Sequence, residues 1–156
     1  MSQEAIREKR DAARAEDVVP PLDTIIGYKL RRAQLAVFQD FAESFARMKL
    51  RPAEFSALAL IARQPGSKQS EIAEALGVKP ANLVALMDGL EKRGLAERRK
   101  TDTDRRSYSL YLTAKGEKFV LSMASVWRDH ENRMIERLGG EGESRRFIEM
   151  LEKVAG

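Results

Sequence analysis

The stretch 67–113, SKQSEIAEALGVKPANLVALMDGLEKRGLAERRKTDTDRRSYSLYLT, constrains this chain more than any other part of it. Ile72, Ala73 and Leu76 give a short amphipathic helix, Gly77 a turn, and Lys79-Pro80 the start of a second helix, because proline is pre-set for the first helical turn. Leu83, Leu86, Met87 and Leu90 form the apolar face of that second helix, and Gly94 ends it. Residues 95–99 and 107–112 then read as two strands around a polar turn, the second alternating with Tyr108, Leu110 and Leu112 on one side. A helix, a tight turn, a second helix and a hairpin compose a winged helix-turn-helix, an arrangement that presents one helix to the DNA major groove.

The first helix of the pair exposes Glu71 and Glu74, which suit a helix start but not a base-reading face, so it is the supporting helix. Ser67 or Ser70 is its expected N-cap. On the second helix Asn82 is the exposed side chain able to pair bidentately with adenine, and Lys79 reaches guanine or phosphate; the bland alternative is an early polar position on a solvated helix. Arg105 and Arg106 fall at or beside the hairpin tip, where a guanidinium suits the minor groove. Asp104 either orients a neighbouring guanidinium there or makes a routine surface ion pair. Lys92, Arg98 and Arg99 are expected phosphate contacts.

Charge distribution says more than its total. Seven basic and three acidic residues lie between Lys92 and Arg106, so the whole-chain net charge of +4 is matched within that segment. A solvated face has the same composition; the place of this cluster beside a helix-turn-helix is what favours nucleic acid.

The flanks are helical. From Leu22 to about Leu50 the residues Leu22, Ile26, Leu30, Ala33, Val37, Phe41, Phe45 and Met48 recur at helical steps, with Ile25, Phe38 and Ala42 widening the stripe. Arg51-Pro52 closes that helix and opens the next, Ala53 to Arg63, with Phe55, Leu58, Ala59 and Ala62 inward. Thr113 is the expected N-cap of a long helix, residues 114–138, whose stripe is Val120, Met123, Trp127, His130, Met134 and Leu138. Gly139-Gly140 stops it, and a last helix of about 143–154 buries Phe147, Ile148, Leu151 and Val154. The fold is therefore expected to be mainly α with a small β-hairpin wing. Residues 1–21 form a polar extension, 53–113 the winged core, and 22–50 with 114–156 the dimerisation region. Two long apolar-striped helices at opposite ends of a small domain predict a homodimer, with two readers about one DNA turn apart on a pseudo-palindromic operator.

Several classes are excluded. With no cysteine and one histidine, disulfides, thiolate chemistry and the usual zinc sets are not expected. No phosphate-binding glycine loop and no nucleophile with a partnered base is present, so no enzyme, cofactor or metal is expected. No run approaches the roughly 18 apolar residues of a membrane span, and MSQEAIREKR lacks an apolar signal core, so a cytoplasmic location is expected. Residues 1–17 are a solvated helix or disordered, with no chemistry.

At Gly94-Leu95-Ala96-Glu97-Arg98-Arg99, Asp104-Arg105-Arg106 and Leu110-Tyr111-Leu112-Thr113-x-x-Gly116 the chain resembles the MarR family of bacterial transcription regulators, from about residue 22 to the end. The resemblance implies an obligate dimer, a DNA-reading helix at 79–93 and wing arginines at Arg105 and Arg106. Many members carry arginines where this chain has Ala85 and Gly89, so base readout here rests on Lys79, Asn82 and Ala81, the last against a thymine methyl.

The resemblance further implies a pocket among the first, second and post-wing helices for small aromatic acids that weaken DNA binding. The segment Ile26 to Gln34 is similar to a subgroup responding to aromatic carboxylates or their coenzyme A thioesters. Tyr28, Phe38, Phe41, Phe45, Trp127 and His130 then supply an aromatic wall, and Arg31 and Arg32 charge for a carboxylate or phosphate. The competing reading makes the aromatics core or dimer interface. A winged-helix module for protein contacts, without specific DNA binding, is the alternative function.

Overall fold

The computed structural model describes residues 18–101 and 104–156, without the side chains of 101–107. Residues 1–17 lie outside it, and so does their expected role. The chain divides into a unit ending at Val37 and a unit Phe38–Gly156. In the first, Pro21 precedes a 3-10 turn Leu22–Thr24 and the start of helix α1, Ile26–Ser44. The single helix expected over 22–50 is thus a helix flanked by two 3-10 turns, the second at Ala46–Met48, which ends at Lys49 in the left-handed region.

The unit from Phe38 holds the end of α1, then α2 (Pro52–Arg63), α3 (Gln69–Ala75), α4 (Pro80–Lys92), the antiparallel strands β1 (Ala96–Thr101) and β2 (Asp104–Leu112), α5 (Ala114–Leu138) and α6 (Glu141–Ala155). Its core is built from the helical stripes and the hairpin base. Phe45, Leu58, Ile61, Ile72, Leu83, Met87, Leu90, Leu95 and Leu110 are all fully buried. Each such side chain contributes about 1.5–3 kcal/mol on leaving water. Burial of residues from α2, α3, α4 and both strands in one cluster is what holds the reader helix and the wing as one body.

Several local expectations are corrected. The inward face of α2 is Glu54, Ala57, Leu58 and Ile61, while Phe55, Ala59 and Ala62 are half-buried. A buried carboxylate displaced the periodic reading: Glu54 accepts from the Arg51 amide at 2.9 Å and the Arg51 guanidinium at 3.1 Å. Burial pushes the Glu54 carboxyl up, and those two hydrogen bonds with the Arg51 and Arg93 charges outweigh it, leaving it below its ordinary value. At α3 the N-cap is Lys68 rather than a serine, and the Glu71 carboxylate accepts from the Lys68 amide at 2.8 Å. On α6 Ile148 and Val154, expected inside, are 48% and 62% exposed, because α6 packs mainly on α5 and with only part of its face.

The hairpin is longer than expected. Arg105 and Arg106 belong to β2, with Thr101 opposite Asp104 across a bulge after Lys100. Residues 66–68 add a third edge: the Gly66 amide donates to the Leu110 carbonyl, and the Leu110 amide to that of Ser67. The α5 start is as expected. Thr113 Oγ1 accepts from the Gly116 amide at 2.9 Å and donates to the Gly94 carbonyl at 2.6 Å, so one hydroxyl joins the end of the reader to the start of the long helix.

Candidate nucleic-acid interface and effector residues

The second helix of the pair, α4, is aimed by its own sequence. Gly77 takes φ +63 to turn the chain out of α3, a conformation that glycine adopts without strain. Lys79 is the N-cap in extended conformation and Pro80 opens the first turn. Leu83, Met87 and Leu90 pin one face in the core, which leaves Lys79, Ala81, Asn82 and Ala85 exposed on the other. Val84 is exposed too and was not singled out from the sequence; it is an apolar side chain on the same exposed face as Ala81 and Ala85.

Lys92, the last residue of α4, and Arg99 on β1 are exposed. Arg99 Nε donates to Glu97 at 2.7 Å, and its guanidinium lies 4.2 Å from the centre of the Tyr111 ring, so packing fixes its direction while it stays in solvent. The side chains of Asp104, Arg105 and Arg106 lie outside the described residues; their backbone continues β2 from the tip.

Arg98 is of another kind. Its side chain is only 17% exposed. Nε donates to Gln69 at 3.1 Å, Nη1 to Asp88 at 2.7 Å and Glu91 at 2.9 Å, and Nη2 to the Val84 carbonyl at 2.8 Å. The Arg98 amide donates to the other Glu91 oxygen at 2.8 Å. Neither Asp88 nor Glu91 was picked out from the sequence, although their i, i+3 spacing on α4 puts both on the side facing β1.

The expected effector residues fall in two groups. In the unit ending at Val37, Tyr28 is half-buried and Arg31 and Arg32 are exposed on α1. In the unit from Phe38, the Phe41 and Phe45 rings stack at 4.2 Å, Phe55 meets both at 5.7 Å, and His130 stands edge-on to Phe41 at 5.6 Å. Phe41, Phe45 and His130 are buried in this cluster, while Phe38 and Trp127 are 45% and 41% exposed.

Behind the rings lies a polar knot that the sequence reading missed. The Asp40 carboxylate accepts from His130 Nδ1 at 2.8 Å, Arg133 Nη2 at 2.7 Å and Arg137 Nη2 at 3.1 Å, tying α1 to α5. Arg133 above all, then His130, hold the Asp40 carboxyl far below the usual carboxylate range against the opposing effect of burial. An ionised Asp40 only accepts, so His130 carries its proton on Nδ1. A separate cleft of about 460 Å³ opens between the end of α2, the wing base and α5, lined by Ile61, Pro65, Arg99, Tyr111, Glu117 and Val120 among others. None of the described residues form a metal-binding cluster, and no helix among them is long and apolar enough to cross a membrane.

This geometry agrees with three comparisons. A family model described as "MarR family" matches residues 49–107, the span from just after the second 3-10 turn to the first half of β2. A putative transcriptional regulatory protein for the hcr operon of Thauera aromatica is 37% identical over 92 residues, 58% of this chain and 55% of the relative; the chain thus spans about half that relative's length. The transcriptional repressor CouR bound to a 23-mer DNA duplex superposes with a TM-score of 0.82 at 41% identity, covering 86% of this chain and 95% of that one. CouR bound to p-coumaroyl-CoA gives 0.79 at 38% identity, covering 86% and 94%.

Proposed function

From the premise that this chain belongs to the MarR family of DNA-binding transcription regulators, we propose that it is a homodimeric repressor, released from a pseudo-palindromic operator by an aromatic carboxylate or its coenzyme A thioester. The observation that carries this reading is that a repressor about two-fifths identical over nearly its whole length has been seen both on DNA and with an aromatic acyl-CoA.

In this reading α4 enters the major groove. Asn82 reads adenine, Ala81 and Val84 meet thymine methyls, and Lys79 reaches guanine or a phosphate. Lys92 and Arg99 contact phosphates, and Arg105 or Arg106, oriented by Asp104, enters the minor groove. The apolar side chains left exposed on α5 and α6, among them Leu138, Ile148 and Val154, are covered by the second subunit. Phe38 and Trp127, which are exposed, and the half-buried Tyr28 are the aromatic residues assigned to the effector, with Arg31 and Arg32 for its carboxylate or phosphates, whereas Phe41, Phe45 and His130, expected in the same wall, are buried. An effector that fits only one spacing of the two readers lowers DNA affinity by its differential binding energy.

The test is binding of the purified protein to its own upstream intergenic DNA across a salt series, with aromatic acids and their coenzyme A thioesters added in turn. Site-specific binding that one class of compound releases is the expected result. Weak, sequence-indifferent binding that no compound alters would instead favour a protein-interaction role. Arg106→Ala is expected to weaken operator binding by about 1–3 kcal/mol and to reduce the salt slope by about 1.

A further inference from the structure

Arg98 sits in the middle of a basic segment, yet the groove it occupies, about 390 Å³ lined by Gln69, Val84, Glu91, Arg98 and Tyr108, is where α3, α4 and the hairpin meet. Among the described residues, only one Nη2 hydrogen of its guanidinium is left without a partner. A phosphate approaching Nη1 meets the Asp88 and Glu91 carboxylates already there at 2.7 and 2.9 Å, so the group of three carries a net charge of −1. Such a cluster repels a phosphate. Its contacts instead run to both helices of the pair: the supporting helix through Gln69, the reader through Val84, Asp88 and Glu91.

We propose that Arg98 is a positioning residue for DNA reading: its guanidinium and amide clamp β1 to α4, with Glu91 gripping both, and so set the angle between the wing and the reader helix. This rests on the DNA-binding reading above. The clamp is stiff because the fork is planar and its two acidic partners fix it from one side. Base readout by α4 and minor-groove insertion by the wing must happen together on one duplex. A change in their mutual angle therefore costs specific binding, where both engage, and spares non-specific binding, which depends on the count of cations near the backbone.

Two accounts of Arg98 give opposite results for Glu91→Gln. Removing an acidic charge near DNA tightens binding if Arg98 is a phosphate contact restrained by Glu91. Under the clamp, the glutamine retains one carbonyl acceptor where two carboxylate oxygens served the Arg98 side chain and amide, and specific binding weakens. Affinities of the wild type, Glu91→Gln, Arg98→Lys and Arg98→Ala are to be measured on the upstream duplex and on a scrambled duplex over a salt series. The expected result is a loss of about tenfold on the upstream duplex for both Glu91→Gln and Arg98→Lys, no loss on the scrambled one, and a wild-type salt slope throughout. Wild-type affinity in Arg98→Lys with a slope reduced by about 1 in Arg98→Ala would overturn the clamp, as would tighter binding by Glu91→Gln. Amide hydrogen exchange without DNA decides independently: the Arg98 amide exchanges faster in Glu91→Gln, and unchanged protection refutes the clamp. A wild type unable to distinguish the two duplexes defeats the regulatory reading, and exchange still judges the clamp.

Discussion

The Leu95 carbonyl oxygen stands 1.8 Å from the place where a β-carbon on Gly116 would lie. Residue 116 is in the first turn of α5 and Leu95 leads into β1, so the long helix starts against the backbone of the wing with no room for a side chain. The same carbonyl accepts from the Thr113 amide at 3.2 Å, which leaves it little freedom to retreat. Gly116→Ala is therefore expected to destabilise the fold by about 1–3 kcal/mol or more through overpacking. Denaturant unfolding checks it, and an unchanged midpoint would mean that α5 is free to slide along the wing.

The Asp40 knot predicts an acid limb. An aspartate whose folded value lies below its unfolded value of about 3.9 contributes stability that is present above that value and is lost as pH falls through the folded one. Asp40→Asn is expected to lower stability at neutral pH by about 1–2 kcal/mol, most of it from the contact with buried His130 rather than from the more exposed arginines. Below about pH 4 the gap between wild type and variant begins to narrow, and it closes only as pH falls through the much lower folded value. Thermal unfolding of both proteins from pH 3 to 7 is the measurement. Parallel curves over that range would exclude Asp40 as the source of the acid sensitivity.

What the sequence made legible follows from how local each signal is. The limits of α5, residues 114–138, were readable because Thr113, the helical stripe and Gly139 all lie within or beside the helix they define. The reader helix was equally plain from Pro80, the stripe at Leu83, Met87 and Leu90, and Gly94. Asp40 with Arg133 and Arg137 was not, because the partners are 93 and 97 residues apart and the aspartate interrupts an apolar stripe without announcing its ligands. Arg98 was counted with the surface cations for the same reason: charge composition does not tell a guanidinium in solvent from one already surrounded by carboxylates.

In the proposed binding mode Asn82 and Lys79 make two different kinds of contact from one helix. Asn82→Ala removes a neutral side chain, so it is expected to cost about 1–3 kcal/mol at one base-pair position and leave the salt slope alone. Lys79→Ala weakens binding to all duplexes and lowers the slope by about 1 where the lysine meets a phosphate. A matrix of single base changes measured with each variant distinguishes them. An Asn82→Ala protein with wild-type preference at every position would remove that residue from base reading.

Trp127 is the only tryptophan in the chain and is partly exposed on α5 between the buried Met123 and His130, so its emission reports whatever covers that stretch of helix. Two covers are in competition: a second subunit and an aromatic effector. Cover by a subunit depends on protein concentration, and dilution then shifts the emission to the red. Cover by an effector depends on added compound at fixed protein concentration, and an aromatic acyl-CoA thioester then quenches the emission or shifts it to the blue. Trp127→Phe keeps an apolar ring, so it is expected to weaken effector release of DNA by under about tenfold, whereas Trp127→Arg places a charge against the cover and abolishes it. Emission indifferent to both dilution and thioester, with normal effector response in Trp127→Arg, would take this residue out of both roles and leave the effector site to Tyr28, Phe38 and the arginines of α1.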